Sequence, residues 1–195
     1  MRLLALSVAL FLVVTAPAAA QITDLERERL VAHLEMTSSW LEDEVSNLSQ
    51  AQLAFRRAPG TWSILEVVEH LVVVGPIYWD ALQQGVQGPP SRDDLTSGDA
   101  AVLWYGINRT NREPALPPER PPGQLRDVKS GLDEYAKNHA RLLQYIRTTK
   151  DDLRHRVVQR QACDAYQWAL LISTHEQRHI LQIREVKADQ RFPPQ

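Results

Sequence analysis

Cysteine is nearly absent from this chain. Cys163 is the only one in 195 residues, so no internal disulfide can form, and no cysteine lies near the N-terminus to carry a lipid anchor. An excess of charge of one sign is lacking too. The 22 basic residues are offset by 24 acidic ones and no basic patch stands out, so nothing marks a nucleic-acid partner. No stretch alternates apolar and polar residues long enough to read as a strand, and no internal repeat is visible. The apolar run Leu3–Val14 is too short to span a membrane. With Arg2 before it and Ala18, Ala19 and Ala20 after it, the run reads as a secretory signal peptide, an uncleaved anchor being the alternative. Residues 1–20 are therefore expected to be removed. That leaves 21–195 as one secreted or periplasmic domain, off the membrane after cleavage and held together by packing rather than crosslinks.

What the chain has is helical periodicity, in four stretches. The first runs from about Thr23 to Leu48, with Leu30, Leu34, Leu41, Val45 and Leu48 on one face. The second opens on a Ser63/Glu66 capping box and carries Val67, His70, Val74 and Ile77 toward Leu82, with a kink expected at Pro76. It is apolar nearly all round and should be deeply buried. The third bears the seam Leu125, Val128, Leu132, Tyr135, His139, Leu142 and Ile146. The fourth starts near Asp164, a suitable N-cap, and presents Trp168, Leu171, Ile172, His175, His179, Gln182 and Val186. Between the second and third lies a connector, 85–123, whose Pro114, Pro117, Pro118, Pro121 and Pro122 should exclude helix. A connector this long can cross the bundle and make the helices it joins parallel, and it reads equally as a lid or wall of a site or as a plain surface loop. The tail from Arg191 to Gln195 should fray. The class is all-α: a four-helix bundle with a long crossover between helices two and three.

Three histidines point to chemistry. His175 and His179 stand four apart, about 40° and one turn from each other, so both rings can reach one ion. Such a pair is weak evidence alone, since 6 histidines in 195 residues yield about 0.2 by chance at this helical spacing. Direction strengthens it. Both lie on the core stripe of helix four, and His70 lies on that of helix two, between Val67 and Val74. Three buried imidazoles each need an acceptor and a donor satisfied, and one shared divalent cation satisfies the acceptors together. Zinc suits three imidazoles, and nickel, cobalt, copper and ferrous iron also bind them. No fourth protein ligand is evident, which leaves coordination open for water or a substrate. Glu66, Glu69 and Glu176 are candidates to orient the rings, although each reads slightly better as a solvated helix charge. His139 reads as a hydrogen-bonded core histidine before a fourth ligand. His33 and His155 read as structural or surface residues, and Cys163 as packed rather than nucleophilic.

His175-Glu176-Gln177-Arg178-His179 also spells the HExxH of zinc peptidases. Those enzymes draw a third ligand from further along the chain. Little chain follows His179, and no sheet is expected to hold a peptide, so this stays a minor alternative.

Two segments together resemble the DinB-like (YfiT-like) superfamily of metal-binding four-helix bundles. One is Gly60-Thr61-Trp62-Ser63-Ile64-Leu65-Glu66-Val67-Val68-Glu69-His70-Leu71. The other is Tyr166-Gln167-Trp168 leading into His175, Arg178, His179 and Gln182-Ile183. The resemblance covers essentially the whole mature chain. It implies metal ligation by His70, His175 and His179, the bundle with its long crossover, and thiol-dependent transferase or isomerase activity. With an open metal position able to ionise a thiol or a water, the leading reading is a metal-dependent thiol S-transferase or related hydrolase acting on a small molecule. A non-catalytic module that binds metal or a small molecule is the rival reading. A homodimer is compatible with such a bundle, though no residue proves one.

Overall fold

The computed structural model describes residues 21–90, 95, 98–112 and 114–194, so the expected signal peptide lies outside the described residues. Among them are six α-helices, one 3-10 turn and one short hairpin. The four long helices are α1 (Asp24–Val45), α3 (Ile64–Gln87), α5 (Val128–Thr148) and α6 (Ala165–Lys187). Between them stand the short helices α2 (Gln50–Ala54) and α4 (Asp99–Ile107). The hairpin pairs β1 (Val157–Val158) with β2 (Cys163–Asp164) in antiparallel register. No described helix is long and apolar enough to cross a membrane.

Each long helix starts where a side chain can satisfy its orphan amides. Thr23, Ser63 and Asp164 make capping boxes with Glu26, Glu66 and Gln167, and Asp127 accepts from the amides of Lys129 and Ser130. Asp127 starts α5 later than the apolar seam suggests, which leaves Leu125 in the connector. The second helix is as buried as its composition requires and runs through Pro76 as far as Gln87.

Contacts along the helices fix their directions. Glu26 meets Tyr166, His33 meets Ser173 and Glu44 meets Arg184, a constant offset that makes α1 and α6 parallel. A Cβ on Gly75 would touch Asn138 at 3.0 Å and one on Gly131 would touch Val68 at 3.0 Å, so α3 and α5 are parallel and close. Across the bundle, His70 meets His175 while Tyr78 meets Trp168, which makes α3 and α6 antiparallel. The helices therefore run up, down, down, up. The crossover between α3 and α5 produces this order, because a short turn can only reverse the chain.

Four expectations need correction. The connector is not bare loop: Ala101–Ile107 continue the nine-residue α4, which docks on α6 where Gly106 lets the backbones approach. A Cβ there would sit 2.9 Å from Thr174 Cβ. The proline run holds one helical turn, Pro117–Glu119 in 3-10 form, because prolines at its first two positions lack only amides that would go unbonded anyway. Strand is present after all. The hairpin escapes a periodicity reading because it is two residues long per strand; it packs on α3 at Gly85, where a Cβ would meet Val158 Cγ2 at 2.7 Å. The described part of the tail is anchored, with Phe192 edge-on to Phe55 at 5.6 Å and the Pro193 carbonyl accepting from Gln52 Nε2 at 3.0 Å.

The core divides into two apolar clusters along α6. One surrounds Trp168 and Ile172 with Leu30, Leu34, Leu82 and Ile146; the other surrounds Ile180 and Ile183 with Leu41, Val45, Val67 and Leu71. The histidines stand at the level between them.

Candidate metal centre

His70 from α3 and His175 and His179 from α6 are all buried, and one ring nitrogen of each lies within 4.8 Å of the others. The atoms that converge are the Nε2 nitrogens. His175 Nε2 is 3.3 Å from His70 Nε2 and 3.1 Å from His179 Nε2. The far nitrogens decide the protonation. His70 Nδ1 lies 2.6 Å from the Glu119 carbonyl, which can only accept, so Nδ1 carries the proton and Nε2 presents a lone pair. His179 Nδ1 lies 3.0 Å from Gln182 Oε1, which assigns the same tautomer. Burial, then the neighbouring imidazole and Arg178, pushes His175 well below its ordinary value, and burial does the same to His179, so the rings are neutral.

Two lone pairs therefore face a third nitrogen that can offer at most one proton. Acceptors packed this way repel unless a cation lies among them. Two nitrogens 3.1–3.3 Å apart, each about 2.0–2.1 Å from a common ion, would subtend about 100–110° at it, close to tetrahedral. The three-histidine cluster could hold a metal ion. No carboxylate or further histidine joins the cluster among the described residues.

Two of the rings, His70 and His179, are set by neutral oxygens, and none of the candidate carboxylates Glu66, Glu69 and Glu176 holds a ligand ring. Glu66 closes the α3 capping box and pairs with Arg56. Glu69 accepts from the amides of Gly123, Gln124 and Leu125 and so ties down the end of the crossover. Glu176 turns to the opposite side of α6, where Thr37 Oγ1 donates to it at 2.7 Å and His139 Nδ1 stands 3.5 Å away. That position also removes the peptidase reading, since the general base of HExxH must face the metal.

Among the described residues, His139 joins no metal cluster. Its Nδ1 is 3.3 Å from Tyr135 Oη, and its Nε2 is unpartnered among the described residues beside a 30 Å³ void, room for a single water. It is thus less completely bonded than the sequence suggests. His33 bonds Ser173 Oγ at 2.6 Å and His155 bonds Asp152 at 2.9 Å, both structural. Burial, then Asp164, pushes the Cys163 thiol up to about 12, which leaves it unreactive.

The histidines form part of the wall of a cavity of about 1180 Å³ that opens to solvent. Trp62 lies against two of the rings, 4.9 Å from His70 and 6.2 Å from His179. Tyr78 stands 5.3 Å from His175, its phenol held well above the usual range by burial and then by Glu119. Arg178, buried between the two α6 histidines in sequence, donates to the carbonyls of Tyr105, Asn108 and Asn111 and so fastens the α4 end of the wall. Sequence reasoning missed Glu119, whose carbonyl and position carry no local pattern. It could have found the role of Gln182, which stands three residues from His179 on the same face.

Among solved structures, the chain is similar to YfiT from Bacillus subtilis, described as a probable metal-dependent hydrolase with an unusual four-helix bundle topology. The TM-score is 0.60 at 17% identity, over 86% of this chain and 89% of that one, a likeness of fold. No curated protein matches. The DinB superfamily model matches residues 23–183, a span that takes in all three histidines and all four long helices but the end of α6, and the chain belongs to the DinB superfamily.

Proposed function

We propose that this protein is an exported metal-dependent enzyme that acts on a small molecule, as a hydrolase or as a thiol S-transferase. One observation carries the reading: three buried imidazoles converge their Nε2 nitrogens on the wall of a large open cavity, two of them in the tautomer that presents a lone pair, with no fourth protein ligand among the described residues. A structural metal is normally closed by four protein ligands, whereas a catalytic one keeps a position for a reactant. When bound, a zinc or nickel ion supplies Lewis acidity and lowers the pKa of a water or thiol at its open position. The Glu119 carbonyl and Gln182 hold the His70 and His179 rings in the ligating tautomer. Trp62 covers one side of the rings, and Arg178 holds α4 and its following loop as the facing wall. Export follows from residues 1–20 and favours water as the attacking group, since low-molecular-weight thiols are chiefly cytosolic.

His175→Ala and His70→Ala should each abolish stoichiometric metal in purified protein, read by elemental analysis. The metal-loaded wild type should melt above the chelator-treated form, because a ligand of the native state adds stability. Undiminished metal in both variants would remove the site. Metal content with no hydrolysis or thiol transfer across a panel of small electrophiles would favour the non-catalytic binding module.

A further inference from the structure

Among the described residues, seven arginines and no lysine line the cavity that holds the three histidines, against three carboxylates, Glu119, Glu185 and Asp189. Four of the seven are committed elsewhere. Arg160 pairs with Glu119, Arg191 with Asp189, Arg120 donates to the Ala115 carbonyl, and Arg178 is consumed by loop carbonyls. The group around Glu185 is different. This residue lies on α6 six positions past His179, about 9 Å further along the axis. Its carboxylate accepts from Arg109 Nε at 3.0 Å and from Arg112 at 3.0 Å, and Arg57 stands at 3.4 Å. Arg57 also leans on Asp189 at 3.8 Å. Arg109 and Arg112 have Glu185 as their one anionic partner among the described residues.

One carboxylate has about four lone-pair sites, and two guanidiniums bring about ten N–H donors. Among the described residues, positive charge and N–H donors are therefore left over, on the wall of the same cavity. The planar guanidinium fork matches a carboxylate two bonds at a time. We infer that Arg109 and Arg112 bind a carboxylate of the substrate, so that the molecules processed at the three-histidine site are small organic acids. Glu185 acts as the competing internal anion. It keeps the two arginines in place when the subsite is empty and sets how strongly they draw an incoming acid. The inference rests on the metal-site reading above, because the acid is anchored for the benefit of a reacting group at the histidines.

The test uses metal-loaded protein and two probe series read by titration calorimetry. Monohydroxamates of succinic, adipic and suberic acid carry a metal-binding head and a carboxylate at increasing reach. Alkyl hydroxamates of matched length carry the head alone. At least one acid should bind tenfold or more tightly than its uncharged match, the margin expected of a charge-assisted pair. Arg109→Gln with Arg112→Gln should erase that margin and leave the alkyl hydroxamates unchanged, which also shows that the variant is folded. Glu185→Gln should widen the margin. Disruption of a merely structural cluster would lower affinity in both variants, so the opposite signs separate the two. Equal binding of acid and alkyl probes to the wild type, or a narrowed margin in Glu185→Gln, would overturn the subsite. Failure of both series to bind would instead overturn the metal reading, and the subsite with it.

Discussion

The two ends of α6 carry opposite ionic arrangements. At its start one guanidinium serves three carboxylates: Arg154 reaches Glu26 at 2.6 Å, Asp99 at 2.8 Å and the capping Asp164 at 3.1 Å. In its last turns one carboxylate serves three guanidiniums, as Glu185 gathers Arg57, Arg109 and Arg112. Each arrangement has the sign that the helix dipole favours at its end. Both tie down α4, through Asp99 at its first residue and Arg109 just past its last. They differ in what lies beside them. Arg154 is 18% exposed and does not line the cavity of the histidines, and its bonds stay within the protein. Glu185 and its arginines line the cavity of the histidines. An arginine cluster becomes informative about ligands only when its unused donors face open space.

The comparison can be broken most easily at Arg154. Arg154→Met leaves Asp164, which is almost wholly buried, without its cationic partner, and should lower stability by about 3 kcal/mol in urea denaturation while metal content stays stoichiometric. A loss under about 1 kcal/mol would make the two ends energetically alike. Acid sharpens the contrast. Burial raises Glu26, but Thr23 and Arg154 outweigh it, and Arg154 with Gln167 likewise holds Asp99 low. Carboxylates held low contribute stability above their ordinary values of 4.5 and 3.8, and that contribution is lost as pH falls through the lowered values. Asp164 runs the other way, since burial raises it and protonation then favours the fold. The stability gap between wild type and Arg154→Met should therefore narrow between pH 7 and about pH 3. The smallest effect belongs to the other end. Glu185 is 28% exposed, and Glu185→Gln should change stability by less than about 1 kcal/mol, measured by the same denaturation. A larger loss would mark the cluster as a staple like its counterpart.

Much of this molecule is legible in its residues because its strongest signals are local. Capping residues Ser63 and Asp164 mark helix starts, and the stripe Leu30, Leu34, Leu41 and Val45 becomes the buried face of α1. Direction along two stripes also brings His70, His175 and His179 together, since buried faces of neighbouring helices must meet. What stayed hidden depends on contacts distant in sequence. The carbonyl on His70 comes from residue 119, α4 is stable through its packing on α6, and the hairpin holds two residues per strand. Such features arise from tertiary closure, which no window of neighbouring residues contains.

Glu119 turns the crossover into hardware. Its carbonyl meets the His70 ring, its carboxylate is gripped by Arg160 beside the hairpin, and its own 3-10 turn is fixed by the two prolines before it. A connecting segment is ordinarily the place where a protein can gain or lose residues at little cost. Here the stretch from Leu116 to Arg120 has a length set by the ring it must reach. Anyone re-engineering this scaffold would find that a one-residue slip at the prolines detunes a histidine about fifty positions away.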